Sequence, residues 1–157
     1  MDTFSTALDV VQRMTPEGPV ALARPHRVAA AASWFVGRFP GDVLYAVKAN
    51  PSPWVLNALW SAGVTHYDVA SEQEVRLVRG MFPSATLCFM HPVKSRRAIR
   101  VAYHEMGVRV FALDSVEELD KILEETGGAR DLTLVVRLSV SNEGSSMPLT
   151  SKFGTSG

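Results

Sequence analysis

The strongest constraint in this 157-residue chain is a recurrence. Short β-favouring runs begin at Val43 (VLYAV), Thr65 (THYDVA), Thr86 (TLCFM), Arg109 (RVFAL) and Thr133 (TLVVRL), about 21 to 24 residues apart. Their brevity and their Val, Tyr, Phe and Thr content suit buried strands. Helix-patterned sequence fills every gap. "WVLNALWSAG" carries Gly63 where a helix should end. "SEQEVRLVRG" opens with Ser71 and Glu74 at capping-box spacing and is expected to stop at Gly80. "SRRAIRVAYHEMG" should stop at Gly107, and "SVEELDKILEETGG" opens with a second box, Ser115 and Glu118. "RPHRVAAAASWFVGRF" predicts one more helix upstream of the first strand. Strands that alternate with helices in this way make a parallel sheet with right-handed crossovers.

Two α/β architectures accept such a run, an open doubly wound sheet and a β/α barrel of the TIM type. The dinucleotide-binding version of the first carries a Gly-x-Gly-x-x-Gly turn after its first strand. Here that turn reads Lys48-Ala49-Asn50-Pro51, with no glycine to approach a pyrophosphate. A barrel instead places its chemistry at the C-terminal ends of its strands. Those ends read Lys48, Asp68, His91, Asp114 and Arg137, a set of ionisable groups destined for one edge of the sheet. The barrel is the expected fold, with only its first five β/α units present. A complete one takes roughly 250 residues. The polar run "SVSNEGSSMPLTSKFGTSG" follows the fifth strand with no closing element. The expectation is therefore the N-terminal portion of a larger protein.

Composition narrows the function. The formal net charge is zero, with 16 basic and 16 acidic residues, so no electrostatic argument favours nucleic acid or an anionic membrane. No apolar run approaches the roughly 20 residues that cross a bilayer, and the start, "MDTFSTALDVVQRM", lacks signal-peptide architecture. The single cysteine, Cys88, excludes an internal disulfide and sits in an apolar strand, where a packed thiol is expected rather than a nucleophile. His26, His66, His91 and His104 have no ligand spacing with cysteines or acids, so no metal site is expected. A cytoplasmic location follows as an expectation.

Lys48 stands out. It closes an apolar run and precedes Asn50-Pro51-Ser52-Pro53, which breaks the chain. It either snorkels to water or is kept, partly desolvated, for covalent chemistry with a carbonyl. Arg137 poses a similar question, since its neighbours in "LVVRLSV" are apolar and a buried guanidinium requires acceptors.

Taken together, "YAVKAN" (45–50), "YDVASEQEV" (67–75), "HPVKS" (91–95), "GVRVFALDSVEEL" (107–119), "RLSV" and "SKFG" (151–154) resemble, in order and spacing, the pyridoxal-phosphate-dependent decarboxylases of the alanine-racemase-like fold, specifically the ornithine/lysine branch. The resemblance runs from about Gly18 onward. It implies residues 1–17 as an N-terminal extension and 18–157 as the N-terminal part of a cofactor-binding barrel. Lys48 matches the lysine that carries the cofactor through its aldehyde. Asp68, Glu74 and Arg137 match residues near the cofactor, with Ala46 and His91 at the site edge. His91 departs from the commoner asparagine, which leaves its contact open. For Glu74, the capping box is a sufficient explanation by itself, and the two roles are compatible.

The implied reaction is decarboxylation of a basic amino acid, L-ornithine first. Lysine, diaminopimelate, arginine and carboxynorspermidine are alternatives within the class, and a non-catalytic binding relative is an alternative outside it. The family's glycine-rich phosphate loop, its second, β-rich domain, and the Cys and Asp offered across a homodimer interface have no counterpart in this sequence. By itself the 157-residue chain is expected to be inactive.

Overall fold

The structure is a computed structural model that describes residues 3–139, 144, 146 and 153–155. Five strands, β1 (Leu44–Ala46), β2 (His66–Val69), β3 (Thr86–Phe89), β4 (Val110–Leu113) and β5 (Thr133–Val136), form one sheet. Their order is 1-2-3-4-5 and every neighbouring pair is parallel. Six α-helices accompany them among the described residues: α1 (Ala7–Met14), α2 (Pro25–Arg38), α3 (Pro53–Ser61), α4 (Glu72–Met81), α5 (Arg96–Arg100) and α6 (Val116–Glu125).

That strand order decides between the two architectures. A doubly wound sheet reverses its order at a switch point and covers both faces with helices. Here the order never reverses, and right-handed crossovers then place the connecting helices α3 to α6 on one face. The packing agrees. One apolar cluster unites Tyr67, Val69, Leu87, Phe89, Phe111 and Leu113 of the sheet with Leu56 of α3, Val75 and Val78 of α4, Ile99 of α5 and Ile122 of α6. Each such side chain, fully removed from water, stabilises the fold by about 1.5–3 kcal/mol. A second cluster, Ala32, Val55, Leu59 and Val64, joins α2 to α3. The alternate residues of the strands face the other way, toward what is the interior of a barrel. Cross-strand register places Ala46, Asp68, Cys88 and Val110 in one row on that face.

Several expectations need correction. The first strand starts at Leu44 and ends at Ala46, because Val47–Ala49 winds into a 3-10 turn. Gly80 does not stop its helix. α4 runs through to Met81, and Phe82 leaves helical backbone because Pro83 follows it. Gly63 and Gly107 behave as expected, with φ of 95° and 67°. The helix before Gly107 changes character, α5 giving way to a single π turn over Val101–Glu105 closed by Met106 N–H donating to the Val101 carbonyl. The N-terminal extension contains a helix that the hydrophobic pattern did not suggest. α1 starts with a reciprocal capping box in which Thr6 Oγ1 accepts from Asp9 N–H and Asp9 accepts from Thr6 N–H.

The two expected capping boxes form only halfway. Ser71 and Ser115 accept from the amides of Glu74 and Glu118, at 3.3 and 3.2 Å. Neither glutamate reaches back to its serine. Glu74 accepts from Ala70 N–H at 2.7 Å, one residue earlier, and Glu118 turns inward to Lys94.

Candidate active site

Four of the five ionisable strand ends, all but Asp114, converge on a cleft of about 580 Å³ lined by Lys48, Asp68, His91 and Arg137 together with Ala70, Met90, Pro92, Ala112, Val135, Val136 and Phe153. A period of two explains most of this lining. Asp68 and Ala70 at the end of β2, and Val135 and Arg137 at the end of β5, are alternate residues that share the interior face. A larger cleft of about 830 Å³ lies between α1 and residues 20–27, but neither a lysine nor a carboxylate lines it. Lys48 and Asp68 both line the smaller one.

Lys48 owes its position to the turn after β1. Val47 is fully buried, which anchors the turn and leaves Lys48 exposed. The exit is fixed as well. Tyr45 Oη donates to the Asn50 carbonyl, Asn50 Oδ1 accepts from Ser52 N–H at 3.0 Å, and Pro53 begins α3. Of the two readings of Lys48, exposure to water is the one found. The side chain is exposed and lines the cleft.

Asp68 is half-buried, and burial pushes its carboxyl above the usual range. The charges of Lys48, Arg137 and His91 oppose that rise, while Glu74 adds to it. Glu74 acts on the cleft only through this charge, since its carboxylate is spent on the Ala70 amide and it lines no part of the wall. Ala46 stands beside Asp68 in the sheet register and likewise does not line the cleft. Cys88, also beside Asp68, is buried with its thiol pushed up by burial and then by the nearby carboxylates, so it is a packed and unreactive group.

Arg137 is exposed, contrary to the burial inferred from its apolar neighbours. Those neighbours, Leu134, Val136 and Leu138, are themselves 38%, 55% and 64% exposed, because β5 pairs on one side only among the described residues. The guanidinium finds a ring instead of buried acceptors, lying 5.4 Å from the centroid of Phe153. Phe153 also meets the His91 imidazole edge-on at 5.4 Å, while His91 Nδ1 accepts from Val93 N–H. Phe153 is thus shared between two cleft residues. Its position is held by Gly154, whose N–H donates to Asp114 at 3.0 Å, and by a bridge between Leu138 and Thr155. Of the expected "SKFG" element, Ser151 and Lys152 lie outside the described residues.

Two features of the site escaped sequence reading. Phe153 belongs to a quoted motif, but only the fold brings it to His91 and Arg137. Lys94, four residues beyond the end of the third β-like run, is buried, and its amine bonds to two carbonyls and the Glu118 carboxylate.

Comparison with known proteins adds an independent line. The family described as "Pyridoxal-dependent decarboxylase, pyridoxal binding domain" matches residues 25–157. A lysine/ornithine decarboxylase from Selenomonas ruminantium is 34% identical over 113 residues, which is 71% of this chain and 28% of the relative. An ornithine decarboxylase from Panagrellus redivivus is 36% identical over 110 residues, 70% of this chain and 24% of the relative. The chain thus spans about a quarter of the length of these relatives. Among solved structures, the lysine/ornithine decarboxylase from Vibrio vulnificus complexed with putrescine superposes with a TM-score of 0.74 at 27% identity, over 96% of this chain and 39% of that one.

Proposed function

Because the chain belongs to the pyridoxal-dependent decarboxylases, we propose that its cleft is the lysine-bearing half of a pyridoxal phosphate site in a basic amino-acid decarboxylase. The observation that carries this reading is the convergence of Lys48, Asp68, His91 and Arg137 on one cleft at the strand C-terminal ends.

The donor set fits that cofactor. A primary amine suits an aldehyde, and the cations Lys48 and Arg137 suit an anionic ligand. The aromatic and aliphatic walls, Phe153, Met90, Ala112 and Val135, suit a flat ring. When bound, pyridoxal phosphate supplies the electron-withdrawing ring that makes loss of the α-carboxylate possible. The chain's own residues do the rest. Lys48 holds the group through its amine. Asp68 shares the cleft with Lys48 and couples to it electrostatically, so it stabilises the protonated amine and, once protonated itself, can return a proton. Arg137, open to solvent beside Phe153, offers a cation to a carboxylate or phosphate oxygen. His91 and Phe153 narrow the mouth against water.

L-Ornithine, yielding putrescine, is the proposed substrate, with lysine second. Two of the relatives described above are named for both amino acids. The test is carbon dioxide release by the intact protein from carboxyl-labelled ornithine, lysine, arginine and diaminopimelate, with added pyridoxal phosphate. Ornithine should give the highest kcat/KM. Release from none of the four would overturn the enzymatic reading, and a higher kcat/KM for another of them would reassign the substrate.

A further inference from the structure

Beside the cleft lies a buried cation that the proposed chemistry does not use. Lys94 is 4% exposed, in the turn that joins β3 to α5. Its Nζ donates to the carbonyls of His91 at 3.0 Å and Ala112 at 2.5 Å and pairs with Glu118 Oε1 at 2.9 Å. An ammonium has three N–H donors, and each has a partner. Glu118 is equally committed. Oε1 also accepts from Lys94 N–H at 3.2 Å, and Oε2 pairs with Lys121. A buried pair of this kind is weak evidence for stability, because the charges lose much in desolvation. What it does supply is geometry. The three partners come from the β3–α5 turn, from β4 and from α6, and two of them, His91 and Ala112, are walls of the cleft.

We propose that Lys94 is a positioning residue for the cleft, its ammonium holding the His91 turn against the Ala112 strand so that His91 stands at the mouth. The consequence for ligand binding rests on the cofactor reading above. The local consequence does not. With the ammonium gone, the His91 carbonyl loses its donor, and the turn keeps Val93 N–H bonding to His91 Nδ1 at 3.1 Å and the main-chain N–H at position 94 donating to Glu118. Glu118 then loses the partner that diverts it from its own helix start.

The test uses the intact protein and two variants. Lys94→Met alone leaves Glu118 buried with one partner fewer and can fail to fold. Lys94→Met with Glu118→Leu replaces the pair by apolar side chains of similar size, an exchange that proteins often tolerate. Three quantities are read: melting temperature, amide hydrogen exchange, and affinity for pyridoxal phosphate by absorbance titration. The expected result for the double variant is a melting temperature close to the parent's. Exchange at the Val93 amide should be at least tenfold faster, with β3 amides from Thr86 to Phe89 unchanged, and the dissociation constant for pyridoxal phosphate should be several-fold higher. Unchanged protection at Val93 overturns the proposal, as does a loosened turn with unaltered cofactor affinity. A parent protein that binds no pyridoxal phosphate would refute the cofactor reading instead, and exchange at Val93 would still decide whether Lys94 positions the turn.

Discussion

Among the described residues the buried Tyr67 hydroxyl has no hydrogen-bond partner, so Tyr67→Phe should stabilise the protein. The ring itself is well used. It stacks on Phe82 with centroids 5.9 Å apart and meets Tyr45 edge-on at 6.5 Å, and Phe82 in turn stacks on Trp60 at 4.6 Å. Phenylalanine keeps all of those contacts. What it removes is an oxygen whose unmet burial costs about 1–3 kcal/mol. Against this stand a few dispersion contacts at about 0.1–0.2 kcal/mol each. The expected net gain is about 1 kcal/mol. Urea unfolding followed by tryptophan fluorescence, to which Trp60 contributes from within the stack, should show a higher midpoint with an unchanged slope. The pH dependence gives a second reading. Burial, and then the neighbouring Tyr45, push the Tyr67 phenol up to about 12. The unfolded phenol releases its proton near 10. Between those values the unfolded state binds fewer protons, so stability falls as pH rises from about 10 to about 12, and Tyr67→Phe removes that share of the loss. A lower urea midpoint would refute the reasoning, since it would mean that the hydroxyl has a partner such as a buried water.

Other perturbations follow from the same contacts. Arg79 has no carboxylate partner among the described residues, and its guanidinium donates to the carbonyls of Met106, Pro83 and Ala85. Arg79→Ala should cost about 2 kcal/mol in urea unfolding, and Arg79→Lys should recover less than half, because an ammonium cannot reproduce the planar fork. Gly154→Ala would place a Cβ 2.7 Å from the Ser139 nitrogen at a φ of +117°. It should displace Phe153 and weaken pyridoxal phosphate binding at least tenfold with little change in melting temperature, as read by absorbance titration. Lys48→Met removes the largest of the charges that hold the Asp68 carboxyl down, so a carboxyl-carbon NMR titration should find the Asp68 midpoint at higher pH than in the parent.

The barrel sector was legible because strand recurrence and helix caps are local signals. Ser71 and Ser115 cap as their spacing implies, and the strand ends gather as the fold class demands. The partners of the two glutamates were not legible. Glu118 bonds a lysine 24 residues away, a choice made by packing and invisible to spacing along one helix. Arg137 was misjudged for a related reason. Apolar neighbours report that a segment is strand-like, but whether they are buried depends on what covers them, and Val136 and Leu138 are largely uncovered. For Lys48 the sequence leaves snorkelling and partial desolvation open, and burial of Val47, which turns the next side chain outward, decides for exposure. α1 was missed although its signal, Thr6 followed three residues later by Asp9, was present. The other boxes were recognised through Ser and Glu, and Thr with Asp forms the same reciprocal bonds.

Lys48 is the group proposed to hold the cofactor. The most direct measurement is borohydride reduction of the intact protein after incubation with pyridoxal phosphate, followed by peptide mapping. One pyridoxyl group per chain is expected, on Lys48, with its loss in Lys48→Met. Stoichiometric label on Lys94, Lys121 or another lysine, with Lys48 unmodified, would contradict it.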